Sequence, residues 1–152
     1  MHDGLETTLA LLHHALRDIV VERHFGNLPR VPVYVDELNQ VWTNLISNAQ
    51  QALAAKTGGT GGTIAIETAV VAGLAVVRVI DDGPGVPADV LPHIFEPFFT
   101  TKPKGEGTGL GLGIARQIVE KHGGTMTCES VPGRTVFEVR LPIEVSAGDL
   151  AR

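Results

Sequence analysis

The chain has 152 residues, of which 43% are hydrophobic and 19% charged, so it is long enough for one domain with a buried core. Its net charge of −5 and the absence of any lysine or arginine cluster argue against nucleic acid as the main partner. The single cysteine, Cys128, excludes an internal disulfide and fits a reducing compartment. The first residues contain no apolar run long enough for a signal peptide or a membrane span. We therefore expect a cytoplasmic domain that does not itself contact a membrane, even if a parent protein is membrane-anchored.

The first third of the chain predicts two helices and two strands. Leucines at helical spacing predict an amphipathic helix over residues 4–18, and strands are predicted at 19–25 and 31–35. Asp36 is the predicted N-cap of a second helix that ends near residue 55. One face of that helix is apolar: Leu38, Val41, Trp42, Leu45, Ala49, Ala52 and Leu53.

A neighbouring stripe of this second helix is polar and includes Glu37, Asn44 and Asn48. Asn44 and Asn48 lie one turn apart beside the apolar face. They can either hydrogen-bond the backbone at the border of the core or face a ligand and its metal ion. The residues of the helix alone leave both alternatives open.

The middle of the chain predicts a hairpin followed by an irregular segment. Strands at 63–70 and 74–80 turn through Gly73, and the second strand is apolar enough to be central in a sheet. It leads into the sequence DDGPG, which forms either a simple turn or one wall of a pocket. A short helical turn is predicted at 87–92. In residues 94–104 (IFEPFFTTKPK), the phenylalanines suit anchors, and the threonines and lysines suit a mobile lid over an anion.

Residues 105–124 read GEGTGLGLGIARQIVEKHGG, an alternating glycine run that becomes a helical pattern at about 110–122. A glycine loop that opens a helix presents free N–H groups to a phosphate, although it can also be a flexible connection. Strands at 125–130 and 135–142 form the last predicted hairpin, through residues 131–133. We expect a single domain over residues 1–152, with an ordered core at about 4–142 and a frayed tail at 143–152. The predicted class is a two-layer α+β sandwich, a mixed, mostly antiparallel sheet of about five strands with about three helices on one face.

Four of these segments together resemble the catalytic ATP-binding domain of bacterial sensor histidine kinases. ELNQVWTNLISNAQQAL is similar to the family's N box, DDGPGV to its first glycine box, IFEPFFTTK to its F box and GTGLGLGI to its second glycine box. The ending GRTVFEVRLP is similar to the family's closing strand. The resemblance implies the Bergerat fold, shared with gyrase, heat-shock chaperones and mismatch-repair ATPases, and ATP and Mg²⁺ as cofactors.

The resemblance also implies the role of each matching residue. It places Asp81 on the adenine amino group, with Gly85 and Thr135 in support, and assigns Mg²⁺ to the side-chain oxygen of Asn48. The implied catalytic residues are Asn44, Asn48 and Lys102. The other implied nucleotide-binding residues are Gly83, Thr100, Thr101, Lys104, Gly107, Thr108, Gly109, Leu110 and Gly111.

Asn44 stands where the hydrolytic members of the superfamily carry a glutamate that activates water. An amide cannot act as a base, so the resemblance implies transfer of the γ-phosphate to another nucleophile, a histidine. None of the six histidines has the context of the acceptor. The implied partners are therefore a dimerisation domain of the same parent protein, which carries the acceptor histidine, and a downstream response regulator. Two alternatives remain open: a non-catalytic ATP-sensing module, and a serine/threonine kinase of the anti-sigma type on the same fold.

Overall fold

The structure, a computed structural model, describes residues 1–57, 61–97 and 111–143, with the side chains of residues 55–57 excepted. Within these ranges the chain forms three α-helices and five strands, in line with the predicted class. The elements are α1 (His2–Leu11), β1 (Val20–Phe25), α2 (Val35–Thr57), β2 (Thr63–Val71), β3 (Leu74–Asp81), α3 (Gly111–Lys121), β4 (Thr125–Val131) and β5 (Arg134–Pro142). One short 3₁₀ turn, Leu91–His93, follows β3.

The five strands form one mixed sheet in the order β1-β2-β3-β5-β4. Only β1 and β2 run parallel, as expected for two strands connected through a helix, here α2. The pairs β2–β3, β3–β5 and β4–β5 are antiparallel, and two of them are the predicted hairpins. The apolar strand β3 lies at the centre, which confirms its predicted position.

The core lies between the three helices and one face of the sheet. Side chains on alternate residues of a strand point to the same face, so the buried positions of β3 and β5 identify the face that the helices cover. The core cluster joins residues of all three helices to that face, and its largest fully buried side chains include Trp42, Leu45, Ile46, Ile66 and Phe137. The predicted apolar face of α2 is therefore confirmed, except that Ala52 is only half-buried and Ile46 belongs to it.

The first predicted helix is shorter than the leucine pattern indicated. Helix α1 ends at Leu11, and residues 12–18 continue as turns. In these turns the N–H of Leu16 donates to the carbonyl of Leu12, and the N–H of Ile19 donates to that of Leu16. The turns bring Leu16 into the core at 7% exposure, so the leucines are buried although the helix does not continue.

The predicted strand at 31–35 is wrong. Tyr34 N–H donates to Nε2 of His122, at the end of α3, and the Tyr34 carbonyl accepts from Leu38 N–H. These bonds start α2 at Val35, so Asp36 lies in the first helical turn and is not the cap. The valines of this segment, Val31 and Val33, pack against the core without a strand neighbour.

A helix that crosses a membrane needs about 20 predominantly apolar residues. None of the helices in residues 1–57, 61–97 and 111–143 combines the length and the apolar character that a crossing requires.

Candidate functional site

Two adjacent aspartates at the end of β3 have different environments. Asp81 is 2% exposed and lies on the helix-facing side of the sheet, where its Oδ1 accepts a 2.9 Å hydrogen bond from the N–H of Gly83. Asp82 is exposed, and its Oδ1 accepts from the N–H of Thr63 at the start of β2. Asp82 therefore fixes the turn to β2, whereas Asp81 is a buried carboxylate at the end of the central strand.

The turn after β3 requires glycine at two positions. A Cβ on Gly83 would lie 2.8 Å from Oδ1 of Asp81, so the turn closes directly over the carboxylate. Gly85 has φ of +85°, and a Cβ there would lie 2.6 Å from the carbonyl oxygen of Val131. The first glycine box thus packs its backbone against Asp81 on one side and against the β4–β5 hairpin on the other.

Thr135 lies beside this carboxylate. It is opposite Asp81 in the β3–β5 register and is 4% exposed. Its hydroxyl is 2.8 Å from Oγ of Ser130, which also accepts a 2.7 Å hydrogen bond from the N–H of Val86. A buried hydroxyl needs hydrogen-bond partners, and Ser130 supplies one. The predicted site residues did not include Ser130, which the β4–β5 pairing places opposite Thr135 on the same face of the sheet.

Cys128 is half-buried on the same face of β4, two residues before Ser130. Burial, with the negative charges of Asp81 and Glu129, raises the pKa of its thiol to about 12. The thiol is therefore neutral at physiological pH, and it borders the Asp81 site as a small apolar group.

The polar stripe of α2 contacts the start of α3. Nδ2 of Asn44 donates a 2.9 Å hydrogen bond to the carbonyl oxygen of Gly111, the first residue of α3. Asn48 follows one turn later on the same stripe, and both amides are half-buried. The structure thus supports the border position expected for the two amides, and Asn44 connects α2 to Gly111 within the second glycine box.

The segment before that glycine box is anchored through Phe95, as expected for a phenylalanine of the F box. The ring of Phe95 contacts Phe137 edge-on with centroids 6.3 Å apart, and the guanidinium of Arg116 lies 4.8 Å from its centroid. Residues 98–110, which hold most of the predicted lid and phosphate loop, lie outside the described residues. That part includes Thr100, Thr101, Lys102, Lys104, Gly107, Thr108, Gly109 and Leu110.

Several histidines have structural roles. Nδ1 of His122 donates to the carbonyl of Ile118, and its Nε2 accepts from Tyr34 N–H. His93 pairs with Glu96 and His24 with Glu22 on the surface. In the part of the chain that the structure describes, no cluster of histidine, cysteine or acidic side chains is arranged to hold a metal by itself.

Residues 34–145 match the sequence profile of the family described as "Histidine kinase-, DNA gyrase B-, and HSP90-like ATPase". The chain is 38% identical over 138 residues to the sensory histidine kinase/phosphatase NtrB of Rhodobacter capsulatus, an alignment that covers 82% of this chain and 37% of NtrB. It is 43% identical over 124 residues to the sensor histidine kinase ZraS of Escherichia coli, covering 80% of this chain and 25% of ZraS. The chain therefore spans between a quarter and two fifths of the length of these relatives.

A solved structure resembles nearly the whole chain. The nucleotide-free catalytic domain of histidine kinase ThkA superposes with a TM-score of 0.82 at 32% identity, covering 94% of this chain and 92% of that one. Histidine kinase ThkA in complex with response regulator protein TrrA matches with a TM-score of 0.77 at 29% identity, covering 95% of this chain and 40% of ThkA.

Proposed function

This chain belongs to the family of histidine kinase-, DNA gyrase B- and HSP90-like ATPases, and we propose that it binds Mg-ATP and transfers the γ-phosphate to a histidine on a separate dimerisation domain. Its fold is similar to that of the catalytic domain of a histidine kinase. The relatives are named as sensor kinases, which supports a role in two-component signal transduction. The acceptor domain and a response regulator are the proposed partners.

The observation that carries the proposal is the buried carboxylate of Asp81. A carboxylate that is 2% exposed is costly unless it has partners, and it accepts hydrogen bonds without offering any when ionised. Beside it lie Thr135 and the close-packed turn of Gly83 and Gly85. This arrangement suits recognition of a planar base whose exocyclic amino group donates to the carboxylate, as adenine does. In this proposal the base would lie at the end of β3, near Asp81 and the glycine turn.

The phosphates would lie toward the polar stripe of α2 and the start of α3. The amide oxygen of Asn48 is a ligand type that Mg²⁺ accepts, and Mg²⁺ needs few protein ligands because phosphate oxygens and water supply the others. Asn48 is half-buried on the stripe whose other amide already contacts Gly111, so its position fits this use. When bound, Mg²⁺ would neutralise phosphate charge. Lys102, Lys104 and the residues of the glycine loop are proposed phosphate contacts on the basis of the family motifs.

Asn44 favours transfer over hydrolysis. Its amide cannot take a proton from water, and its Nδ2–H is directed to the carbonyl of Gly111. We therefore assign to Asn44 the positioning of the start of α3, and with it the end of the phosphate loop. Phosphoryl transfer depends mainly on such positioning and on charge neutralisation, so an incoming imidazole can serve as the nucleophile.

The test is calorimetric titration with a non-hydrolysable ATP analogue, with and without Mg²⁺, on the parent chain and two variants. Asp81→Asn should weaken binding by about 10- to 100-fold, because a buried hydrogen bond to a charged group is lost. Asp82→Asn is the matched control, since Asp82 is exposed and faces β2, and it should leave the affinity within about twofold. Equal effects of the two substitutions would contradict the assignment of the purine site.

A second measurement separates the alternatives. The chain is incubated with labelled Mg-ATP and an acceptor-histidine domain supplied in trans, and the phosphoprotein is treated with acid. Acid-labile label on the acceptor is expected for a histidine kinase. Acid-stable label would favour a serine/threonine kinase of the anti-sigma type, and nucleotide binding without transfer would favour a sensing module.

A further inference from the structure

We propose that Ser130 fixes the direction of the Thr135 hydroxyl and so makes the purine site select adenine over guanine. The inference rests on the proposed function, because it concerns the same site. Ser130 would not touch the nucleotide itself; it is a positioning residue that acts through Thr135.

One of the two hydrogen bonds of Ser130 has a direction that the atoms determine. The N–H of Val86 can only donate, so Oγ of Ser130 accepts at that 2.7 Å contact. The second contact of Ser130 joins its Oγ to Oγ1 of Thr135 at 2.8 Å. When Ser130 donates its own proton there, each hydroxyl accepts one bond and passes one on, an arrangement in which successive hydrogen bonds strengthen each other. Thr135 then accepts from Ser130, and its own O–H points onward as a donor.

The packing holds this chain of hydrogen bonds in place. Val86 follows Gly85, whose backbone lies against the carbonyl of Val131, so the first glycine turn cannot move away from the end of β4 without losing that contact. Ser130 is half-buried and pairs with Thr135 across the β4–β5 hairpin. The Val86 partner is a backbone N–H, and the pairing of β4 with β5 places Thr135 opposite Ser130. Few other hydroxyl orientations would keep both bonds.

The direction matters because the two purines present opposite groups. Adenine offers an amino donor beside a ring-nitrogen acceptor, which matches the Asp81 carboxylate beside a donating Thr135 hydroxyl. Guanine offers a carbonyl acceptor beside a ring N–H donor, so both positions would be mismatched. In a site that is 2% and 4% exposed at these two residues, an unpaired polar group is costly, and rejection of guanine follows. Without Ser130, the Thr135 hydroxyl can rotate and accept instead of donate.

The experiment measures the affinities of the parent chain and its variants for non-hydrolysable analogues of ATP and GTP by calorimetry. Ser130→Ala should lower the affinity for the ATP analogue by about 5- to 10-fold, because one hydrogen bond is lost. The affinity for the weaker GTP analogue should stay equal or rise, because the Thr135 hydroxyl can then accept from guanine, so the selectivity ratio falls by at least the same factor. Ser130→Thr keeps the hydroxyl and should restore the ratio to within about twofold. Thr127→Ala removes a hydroxyl from the other face of the same strand and is the matched control, with no change in the ratio.

A double-mutant cycle tests whether Ser130 acts through Thr135. In a Thr135→Val background, Ser130→Ala should reduce the ATP affinity by less than about twofold, because the hydroxyl that it directs is already gone. Additive losses, or equal weakening of both nucleotides by Ser130→Ala, would overturn the inference in favour of a purely structural role. Thermal unfolding of each variant shows that it is folded, and Ser130→Cys serves as a near-isosteric second variant with the same expected loss of selectivity.

The outcomes distinguish this inference from the proposed function. If the parent chain binds the ATP analogue and Asp81→Asn abolishes that binding, but Ser130→Ala keeps the selectivity, only the role of Ser130 is wrong. If the parent chain binds no adenine nucleotide, the proposed function and this inference both fail.

Discussion

The two faces of the central strands β3 and β5 carry polar residues with opposite behaviour. On the helix-facing side, Asp81 and Thr135 are almost fully buried at the end of an otherwise apolar surface. On the outer side, Glu138 accepts 2.8 Å hydrogen bonds from both Arg78 and Arg140. The two arginine side chains are 44% and 45% exposed, so the outer charges are paired with one another near water.

This difference shows how the environment decides what a polar residue can do. An exposed ion pair typically adds only about 0–1 kcal/mol to the free energy of unfolding, because water competes for both charges. A buried carboxylate has no such alternative and must be satisfied by the protein or by a ligand. The inner polar pair is therefore the one we propose for nucleotide binding, whereas the outer charges are paired with one another near water.

The largest effect should follow from Phe137→Ala on the inner face. Phe137 is 1% exposed and supports Phe95, so its truncation should lower the free energy of unfolding by about 3–5 kcal/mol. Arg140→Ala, on the outer face of the same strand, is the control and should cost about 1 kcal/mol or less. Urea unfolding curves measure both. Equal losses of unfolding free energy in the two variants would contradict the view that the inner face carries the core and the outer face does not.

An intermediate effect is expected in the reactivity of Cys128. Burial raises the pKa of its thiol to about 12, compared with about 8.5 for a free cysteine, so the thiolate fraction near neutral pH should be lower by roughly a thousandfold. Alkylation of the folded chain should therefore be at least about a hundredfold slower than alkylation of the urea-unfolded chain.

The same raised pKa links the stability of the fold to alkaline pH. Because the folded thiol holds its proton more tightly than the unfolded one, its contribution is complete below about pH 8.5 and is lost as the pH rises towards 12. In the alkylation experiment, a rapid reaction of the folded chain at neutral pH would contradict the raised pKa of the Cys128 thiol. In Cys128→Ala, the fall in the free energy of unfolding that this thiol causes between about pH 8.5 and pH 12 should be absent.

The smallest effect concerns Glu138 on the outer face. Although burial opposes the charged form, hydrogen bonds from Arg78 and Arg140 lower the pKa of Glu138 below its usual range. A lowered pKa stabilises the fold above the unfolded value of about 4.3, and this contribution is lost as the pH falls through the lower folded value. Glu138→Gln should therefore cost about 1 kcal/mol at neutral pH and progressively less in acid.

Chemical unfolding of Glu138→Gln at several pH values checks this. Glu129→Gln, on the same face of β4, is the control and should stay within about 0.5 kcal/mol of the parent throughout. A cost of Glu138→Gln that does not depend on pH would contradict the assignment of the stabilisation to the charged form.

The sequence predicted the parts of the site that depend on local pattern. Alternation and turn residues located the two hairpins, and the apolar run of β3 predicted its central place. The family motifs directed attention to Asp81 and Thr135, which the sheet register then placed opposite each other. The function of the individual site residues stays a prediction.

Ser130 was missed because nothing local distinguishes it from other serines near a turn. Its two partners, Val86 and Thr135, become neighbours only when the first glycine turn packs on the last hairpin. The contact between Asn44 and Gly111 likewise joins residues far apart in the chain. Such hydrogen bonds join residues that come together only in the folded chain, so the sequence pattern around each residue does not predict them.

The sequence by itself determined the class of the fold, most of the core face of α2 and the two antiparallel hairpins, because hydrophobic periodicity and turn chemistry are local properties, whereas the pairing of β3 with β5 came from the structure. Only the tertiary structure decided that residues 31–34 would not form a strand, that α1 would end at Leu11 and that Thr135 would be held by Ser130. A segment with strand propensity becomes a strand only if a neighbour offers free backbone groups. The N–H of Tyr34 instead donates to His122, and its carbonyl accepts from Leu38 in the first turn of α2. Tertiary packing therefore overrides the strand propensity of this segment.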